Sequence, residues 1–262
     1  MTGGKPGHNA AMDRDELVAY LDEFLAVEDV PDESLNGLQV EGRAKISRVA
    51  TAVSCSARFF TDAARWGADA VLVHHGLLWR GQVERVRGSL RQRLAVLLAE
   101  ELNLLAYHLP LDRHPEVGNA AVLARQLGLE GLEPFGVFHG LAIGWAGVFN
   151  RPQTLEELAR RLELLTGQEP LVFPGHGERV SSVGIVTGSG AGAFAEAVET
   201  GLDALVVGDP KEWVMHRAEE EGVHVVACGH YASERFGVQA LGAHLEEKLG
   251  LEVQFFDYPN PA

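Results

Sequence analysis

The sequence predicts an α/β fold made of two similar halves, and three observations carry that prediction. Uninterrupted apolar runs of strand length alternate with helical segments, the pattern of parallel strands covered on both faces. One strand–helix–strand unit recurs without gaps 134 positions downstream, so that Val49 falls on Val183, Phe60 on Phe194, Gly67 on Gly201 and Asp69 on Asp203. Histidines and carboxylates gather where the apolar runs end, at the edge where sheets of this class bind ligands.

The elements follow in order. Residues 1–11 are polar and Gly-rich and are expected to form a disordered leader. Asp13 and Glu16 stand at capping-box spacing ahead of a helix whose apolar positions are Leu17, Tyr20, Leu21, Phe24 and Leu25. SLNGLQVEG reads as a Gly-punctuated loop leading into a strand. VATAV, SARFFTDAARWG and ADAVLVHH then give strand, helix and strand, and LLAYH is a further strand after another helix. The first half is assigned to residues 12–130. A connecting segment, 131–180, holds the Gly-broken strand GLAIGWAGVF and a helix with Thr154 as cap, Glu157 at capping-box spacing and Gly167 as its stop. Residues 181–262 form the second half, with VVACGH as a strand, a last helix from about His230 to Gly250, and EVQFF as the final strand. Two such halves in one compact unit, with sheet ends facing a shared cleft, are the simplest arrangement.

Composition narrows the function classes. With 262 residues, 46% hydrophobic and 23% charged, the chain can bury a core of its own. Its net charge of -15 repels polyanions and anionic membranes, which argues against non-specific nucleic-acid binding. No apolar run approaches the ~20 residues of a membrane helix, and the N-terminal segment lacks a secretory h-region, so the expected location is the cytosol. Cys55 and Cys228 are far apart and lack CxxC partners, which points to buried reduced thiols and away from a disulfide or thiolate metal site.

His74 and His75 end a strand, where both imidazoles can turn into one cleft. Such a pair can also simply cap carbonyls; Asp112, His230 and Glu234 at corresponding strand ends favour ligation. Five N/O ligands exceed what one zinc ion takes from protein and suit two divalent ions ~3.5–4 Å apart, one carboxylate bridging. The donor set accepts Zn, Mn, Fe, Co or Ni and excludes an iron–sulfur cluster. Glu234 has a competing role in the first turn of the last helix, where the dipole favours a carboxylate. His108, four residues before Asp112, is a third ligand, a proton carrier or an orienting partner of a ligand, the last ranking first. Asp209, Pro210 and Glu212 fit the N-cap, N1 and N3 of a following helix, so Asp209 is left outside the site although the repeat sets it opposite His75. GSGAGAF is a tight strand-to-helix turn or a phosphate-binding turn without GxGxxG spacing, and His176 in FPGHGERV is a weak candidate for the cleft. The remaining histidines read as surface or satisfied core residues.

LNGLQVEG, VLVHHGLLW, YHLPLD with VGN, GSG, VVGDPK and GHYASE, in this order, resemble the Nif-three-like family of dinuclear metal-centre proteins, labelled GTP cyclohydrolase I type 2 homologues. The resemblance runs from Met12 to the final strand and implies a duplicated α/β fold and a toroidal homohexamer whose di-metal sites face an inner cavity. It implies the ligands His74, His75, Asp112, His230 and Glu234, and the length is that of the short family form. KEWVMH stands where many members carry a His-rich segment after GD, a departure that puts substrate contact by that segment in doubt. The label implies hydrolytic opening of the GTP purine ring, work for water acidified by a divalent ion. The expected function is therefore a metal-dependent hydrolase with a nucleotide-like or phosphorylated substrate. The alternatives are a non-catalytic metal-handling or metal-delivery protein and, last, a regulatory scaffold.

Overall fold

The computed structural model describes residues 11–82 and 85–262; the expected leader, apart from Ala11, lies outside them. The fold is α/β, and the chain divides into two compact units: one runs to Pro110 and takes back Val238–Asp257, the other comprises Leu111–Gly237 and Tyr258–Ala262.

In the first unit, β1 (Met12–Asp13) leads into α1 (Arg14–Phe24), capped by the Asp13 carboxylate, which accepts from the Asp15 amide. There follow β2 (Gly37–Val40), β3 (Lys45–Ile46), β4 (Arg48–Ser54), α2 (Ala57–Trp66), β5 (Ala70–His75), α3 (Gly88–Ala99) and β6 (Asn103–Ala106). Ser56 caps α2 through the Phe59 amide, and Gly67, at φ 85°, stops it in the left-handed conformation that an L side chain resists. The sheet order is C-terminal strand Glu252–Phe255, β4, β5, β6, β2, and all neighbours are parallel except the antiparallel β2. Val49 to Val53 are all buried, which is why this strand reads as an unbroken apolar run.

Between the units the chain passes through α4 (Leu109–Asp112). The second unit holds α5 (Asn119–Gln126), the hairpin of β7 (Leu129–Phe138) and β8 (Leu141–Gln153), α6 (Leu155–Thr166), β9 (Leu171–Phe173), β10 (Val180–Val186), α7 (Phe194–Glu199), β11 (Ala204–Val207), α8 (Val214–Glu221), β12 (His224–Ala227) and α9 (His230–Ser233); α10 (Arg235–Leu249) leads out of it. Its six strands run β7-β8-β10-β11-β12-β9, with β10, β11 and β12 parallel. Thr154 and Glu157 form the expected reciprocal capping box. The sheet is covered on both faces. Val183, Ile185, Val206 and Val226 pack with Leu123, Leu158 and Leu162, while Leu205, Val207 and Val225 pack with Phe194, Val214 and Ala218. Each large aliphatic side chain so buried contributes about 1.5–3 kcal/mol, so these two layers are a main source of the unit's cohesion.

The duplication is visible in the hydrogen bonds. Val49 pairs with Ala70 and, 134 residues later, Val183 pairs with Ala204. Asp69 Oδ2 accepts the amides of Ser47 and Arg48, and Asp203 Oδ2 accepts those of Ser181 and Ser182. The amides of Tyr107 and Cys228 donate to Val73 and Val207, which are again equivalent. That last match equates His108 with Gly229, so His108 and His230 are one residue out of register, although each precedes a carboxylate by four. No described helix is long and apolar enough to cross a membrane.

Candidate metal centre

In the first unit, β5 delivers His74 and His75 at its carboxyl end, and His108 follows β6 on the neighbouring strand. The three imidazoles cluster: each offers a ring nitrogen, all within 4.8 Å of one another, with ring centroids 4.7 Å apart for His74 and His75 and 5.0 Å for His74 and His108. Each is held by the other nitrogen. His74, fully buried, donates Nδ1–H to the Tyr107 carbonyl at 3.0 Å. His75 Nδ1 meets the Ser54 hydroxyl at 3.1 Å, and His108 Nδ1 lies 3.0 Å from Asp32 Oδ1.

Asp32 is a residue that sequence reasoning missed. Its side chain is 2% exposed and its two oxygens also accept the amides of Ser34 and Leu109 and the Asn36 side chain. Burial by itself would raise its pKa; the His108 imidazole and these donors outweigh it and bring the carboxyl down to about 2. Gln39, within the NGLQV segment, accepts the amides of Leu77 and Leu78 on Oε1 and so fixes the turn that follows the histidine pair. Gly76 leaves room for it, since a Cβ there would stand 2.5 Å from Gln39 Nε2.

In the second unit, His230 opens α9 and Glu234 closes it one turn later, which brings His230 Nε2 to 3.2 Å from Glu234 Oε2. Glu234 thus lies at the break between α9 and α10 and is 3% exposed. Asp112, 6% exposed, presents a carboxylate oxygen within 4.8 Å of one from Glu234. Its Oδ1 accepts from Asn119 Nδ2 at 2.8 Å, and the fully buried Asn119 is anchored in turn by the Gly237 amide at 2.6 Å. Gly188, at φ 58°, passes so close that a Cβ there would fall on the Glu234 carboxylate. The GSG segment is therefore a close backbone approach to this carboxylate; Gly190–Ala193 forms a 3-10 turn ahead of α7.

Asp209 corrects the sequence reading. It caps no helix, because α8 starts only at Val214 with Trp213 as N-cap; instead its Oδ2 receives His230 Nδ1–H at 2.5 Å. Hydrogen bonding to Glu234, opposed by burial and aided by Asp209, pushes the His230 pKa up to about 9. His176 is exposed and packs on Gly222, its amide bonded to the Gly222 carbonyl, while His224 is a buried core residue accepting the Gly175 amide. Both cysteines are buried and free, and burial raises their thiols to about 12, so neither offers a thiolate.

These donors fit divalent metal. His74, His108 and His230 each spend Nδ1–H on a carbonyl or carboxylate, which reserves Nε2 for a ligand, the arrangement typical of ligating histidines; an ion taken by His230 displaces the proton that Nε2 holds against Glu234. Asp112 and Glu234 set two buried carboxylates within 4.8 Å of one another, a donor pair that suits a divalent cation.

Comparison with known proteins gives a consistent result. The profile of the Duf34/NIF3 (NGG1p interacting factor 3) family matches residues 12–261. A Deinococcus radiodurans protein named GTP cyclohydrolase 1 type 2 homolog is 46% identical over 246 residues, covering 94% of this chain and 93% of that one. An Escherichia coli K12 protein of the same name is 40% identical over 255 residues, covering 96% and 100%. Among solved structures, protein ybgI, described as of unknown function, superposes with a TM-score of 0.91 at 39% identity, covering 96% and 100%. Reduced HcgD from Methanocaldococcus jannaschii gives 0.83 at 23% identity, covering 95% and 99%, a likeness of fold.

Proposed function

The chain belongs to the Duf34/NIF3 family, and on that premise we propose that it binds two divalent metal ions and hydrolyses a nucleotide-like or phosphorylated small molecule. The ligands in this reading are His74, His75, Asp112, His230 and Glu234, and the ions are Zn, Mn, Fe, Co or Ni. The observation that carries it is the tethering of His74 and His230 at Nδ1, to the Tyr107 carbonyl and the Asp209 carboxylate, which leaves Nε2 of each for an ion, with His75, next to His74 in sequence, held by the Ser54 hydroxyl. When bound, such ions supply Lewis acidity to a hydrolytic reaction.

The chain's own residues do the rest. Asn119 holds Oδ1 of Asp112 and thereby sets the plane of that carboxylate. His108, 21% exposed and oriented by Asp32, is the member of its cluster placed to exchange protons with a bound substrate. The name shared by the curated relatives makes GTP the first substrate to try. The family resemblance also supports a cytosolic homohexamer, and the exposed apolar side chains of Val137, Phe138 and Val148 on the β7–β8 hairpin offer surface for such assembly.

The test is metal analysis of freshly purified protein followed by incubation of fully loaded wild type and Asp112→Asn with GTP and a phosphoester panel. Turnover by wild type that falls in Asp112→Asn supports the hydrolase. Background rates for both, with rapid transfer of metal to an apo-metalloprotein, overturn it in favour of metal delivery.

A further inference from the structure

Asp209 ends the GD pair that follows β11, and its surroundings are built around the side chain. Its amide donates to the Gly188 carbonyl at 2.8 Å, and Gly208 lies against the same residue so tightly that a Cβ would meet Gly188 backbone atoms at 2.6–2.8 Å. This close crossing of two glycines fixes where the Asp209 backbone sits. Ser189, next to Gly188, donates its hydroxyl to Asp209 Oδ2 at 3.2 Å, and the same oxygen receives His230 Nδ1–H at 2.5 Å. The duplication adds an independent indication, because Asp209 is the equivalent of His75 when Val49 is set on Val183. A position that presents an imidazole at the strand end in one unit presents a carboxylate behind an imidazole in the other.

Resting on the metal-binding reading above, we propose that Asp209 is a positioning residue that locks His230 in its Nδ1–H tautomer and aims Nε2 at the Glu234 carboxylate and the ion they share. A partly exposed carboxylate–imidazole pair contributes little to folding. Its effect lies in geometry: an unanchored His230 ring can rotate about two side-chain torsions or adopt the other tautomer, and either change removes the lone pair from the ion. Ser189 restrains the carboxylate in turn, so the order of influence is Ser189, Asp209, His230, metal.

Titration of metal-free protein with Co2+ against a competing chelator tests this, with the visible spectrum reporting coordination. Wild type should bind Co2+, and Asp209→Ala should bind one of the ions about 10–100-fold more weakly. Asp209→Asn retains an acceptor for Nδ1–H and should recover part of that loss. In a His230→Ala background, Asp209→Ala should have no further effect, because the residue it positions is gone. Circular dichroism and the thermal midpoint of each metal-free variant separate this outcome from general loss of structure; should Asp209→Ala fail to fold, Asp209→Asn and Ser189→Ala carry the comparison, each with a smaller loss of affinity. Wild-type affinity in the Asp209 variants, or an equal loss with and without His230, overturns the positioning role alone. Failure of the wild type to bind Co2+ overturns the metal reading itself, and the positioning role with it.

Discussion

Replacing Asp32 by Asn tests whether the support of His108 also stabilises the fold. The carboxylate is 2% exposed and receives His108 Nδ1, the amides of Ser34 and Leu109, and the Asn36 side chain, all acting on two oxygens. An amide of the same shape keeps one oxygen and turns its NH2 towards two of those donors. Holding the carboxyl at about 2, below its ordinary 3.8, corresponds to about 2 kcal/mol of stability. The two donors left facing the new NH2 add at least about 1–3 kcal/mol, so a total loss of at least about 3–5 kcal/mol is expected at pH 7. The pH dependence has a definite sign. Because the folded pKa is depressed, the carboxylate's contribution is complete above pH 3.8 and disappears as the pH falls through about 2. Urea titration of metal-free wild type and Asp32→Asn at pH 7, and again near pH 2.5, should give a large difference in midpoint that shrinks at the lower pH, with similar slopes. A difference at pH 7 below about 0.5 kcal/mol, or one that grows on acidification, refutes the argument.

Three further outcomes are expected. Glu234→Gln should weaken both ions if the carboxylate bridges, read by elemental analysis after loading; loss of one ion alone makes Glu234 a terminal ligand. Gly188→Ala should cost about 1–2 kcal/mol for the left-handed backbone at φ 58°, read from urea midpoints, and lower metal affinity at least tenfold, read by calorimetric titration with Zn2+, because the new methyl displaces the Glu234 carboxylate. Burial holds the His224 pKa below 6.5, and its Nδ1 accepts the Gly175 amide, so the contribution of neutral His224 to stability should be complete above pH 6.5 and fall as the pH drops below it, by at most about 1.4 kcal/mol per pH unit; His224→Gln should flatten that part of the slope in urea midpoints.

What could be read in the sequence divides along the range of the interactions. The strands β4, β5, β10 and β11 were legible because both their faces are largely buried, so most positions carry the signal, and the ungapped repeat predicts that the two units share one register, as Val49 with Ala70 and Val183 with Ala204 do. Caps were legible wherever donor and acceptor lie within one turn, as at Thr154 and Glu157. The edge strands were legible as strands but not in their pairing. That β2 runs antiparallel beside β6, or that Glu252–Phe255 joins β4, depends on partners chosen across more than 60 and about 200 residues, and their partial burial is compatible with many neighbours.

The side chains that orient the imidazoles and carboxylates of the site divide the same way. Asp32 is 76 positions from His108 and Asn119 is 118 from the Gly237 amide it accepts, separations for which no spacing rule exists. Asp209 is more instructive, because it obeyed a local rule and broke it: followed by Pro210 and Glu212 it has the pattern of a helix start, yet the helix begins at Val214 and the carboxylate serves His230. Local capping is worth about 1 kcal/mol and can be met by other residues. A charge-assisted hydrogen bond to a histidine one strand away, prepared by a glycine crossing that only folding creates, is the interaction that prevails. In this chain the ligand candidates are marked by residue type at strand ends, whereas the residues that orient them are marked only by where the fold carries them, and Asp209 shows how a sound local rule can point away from such a residue.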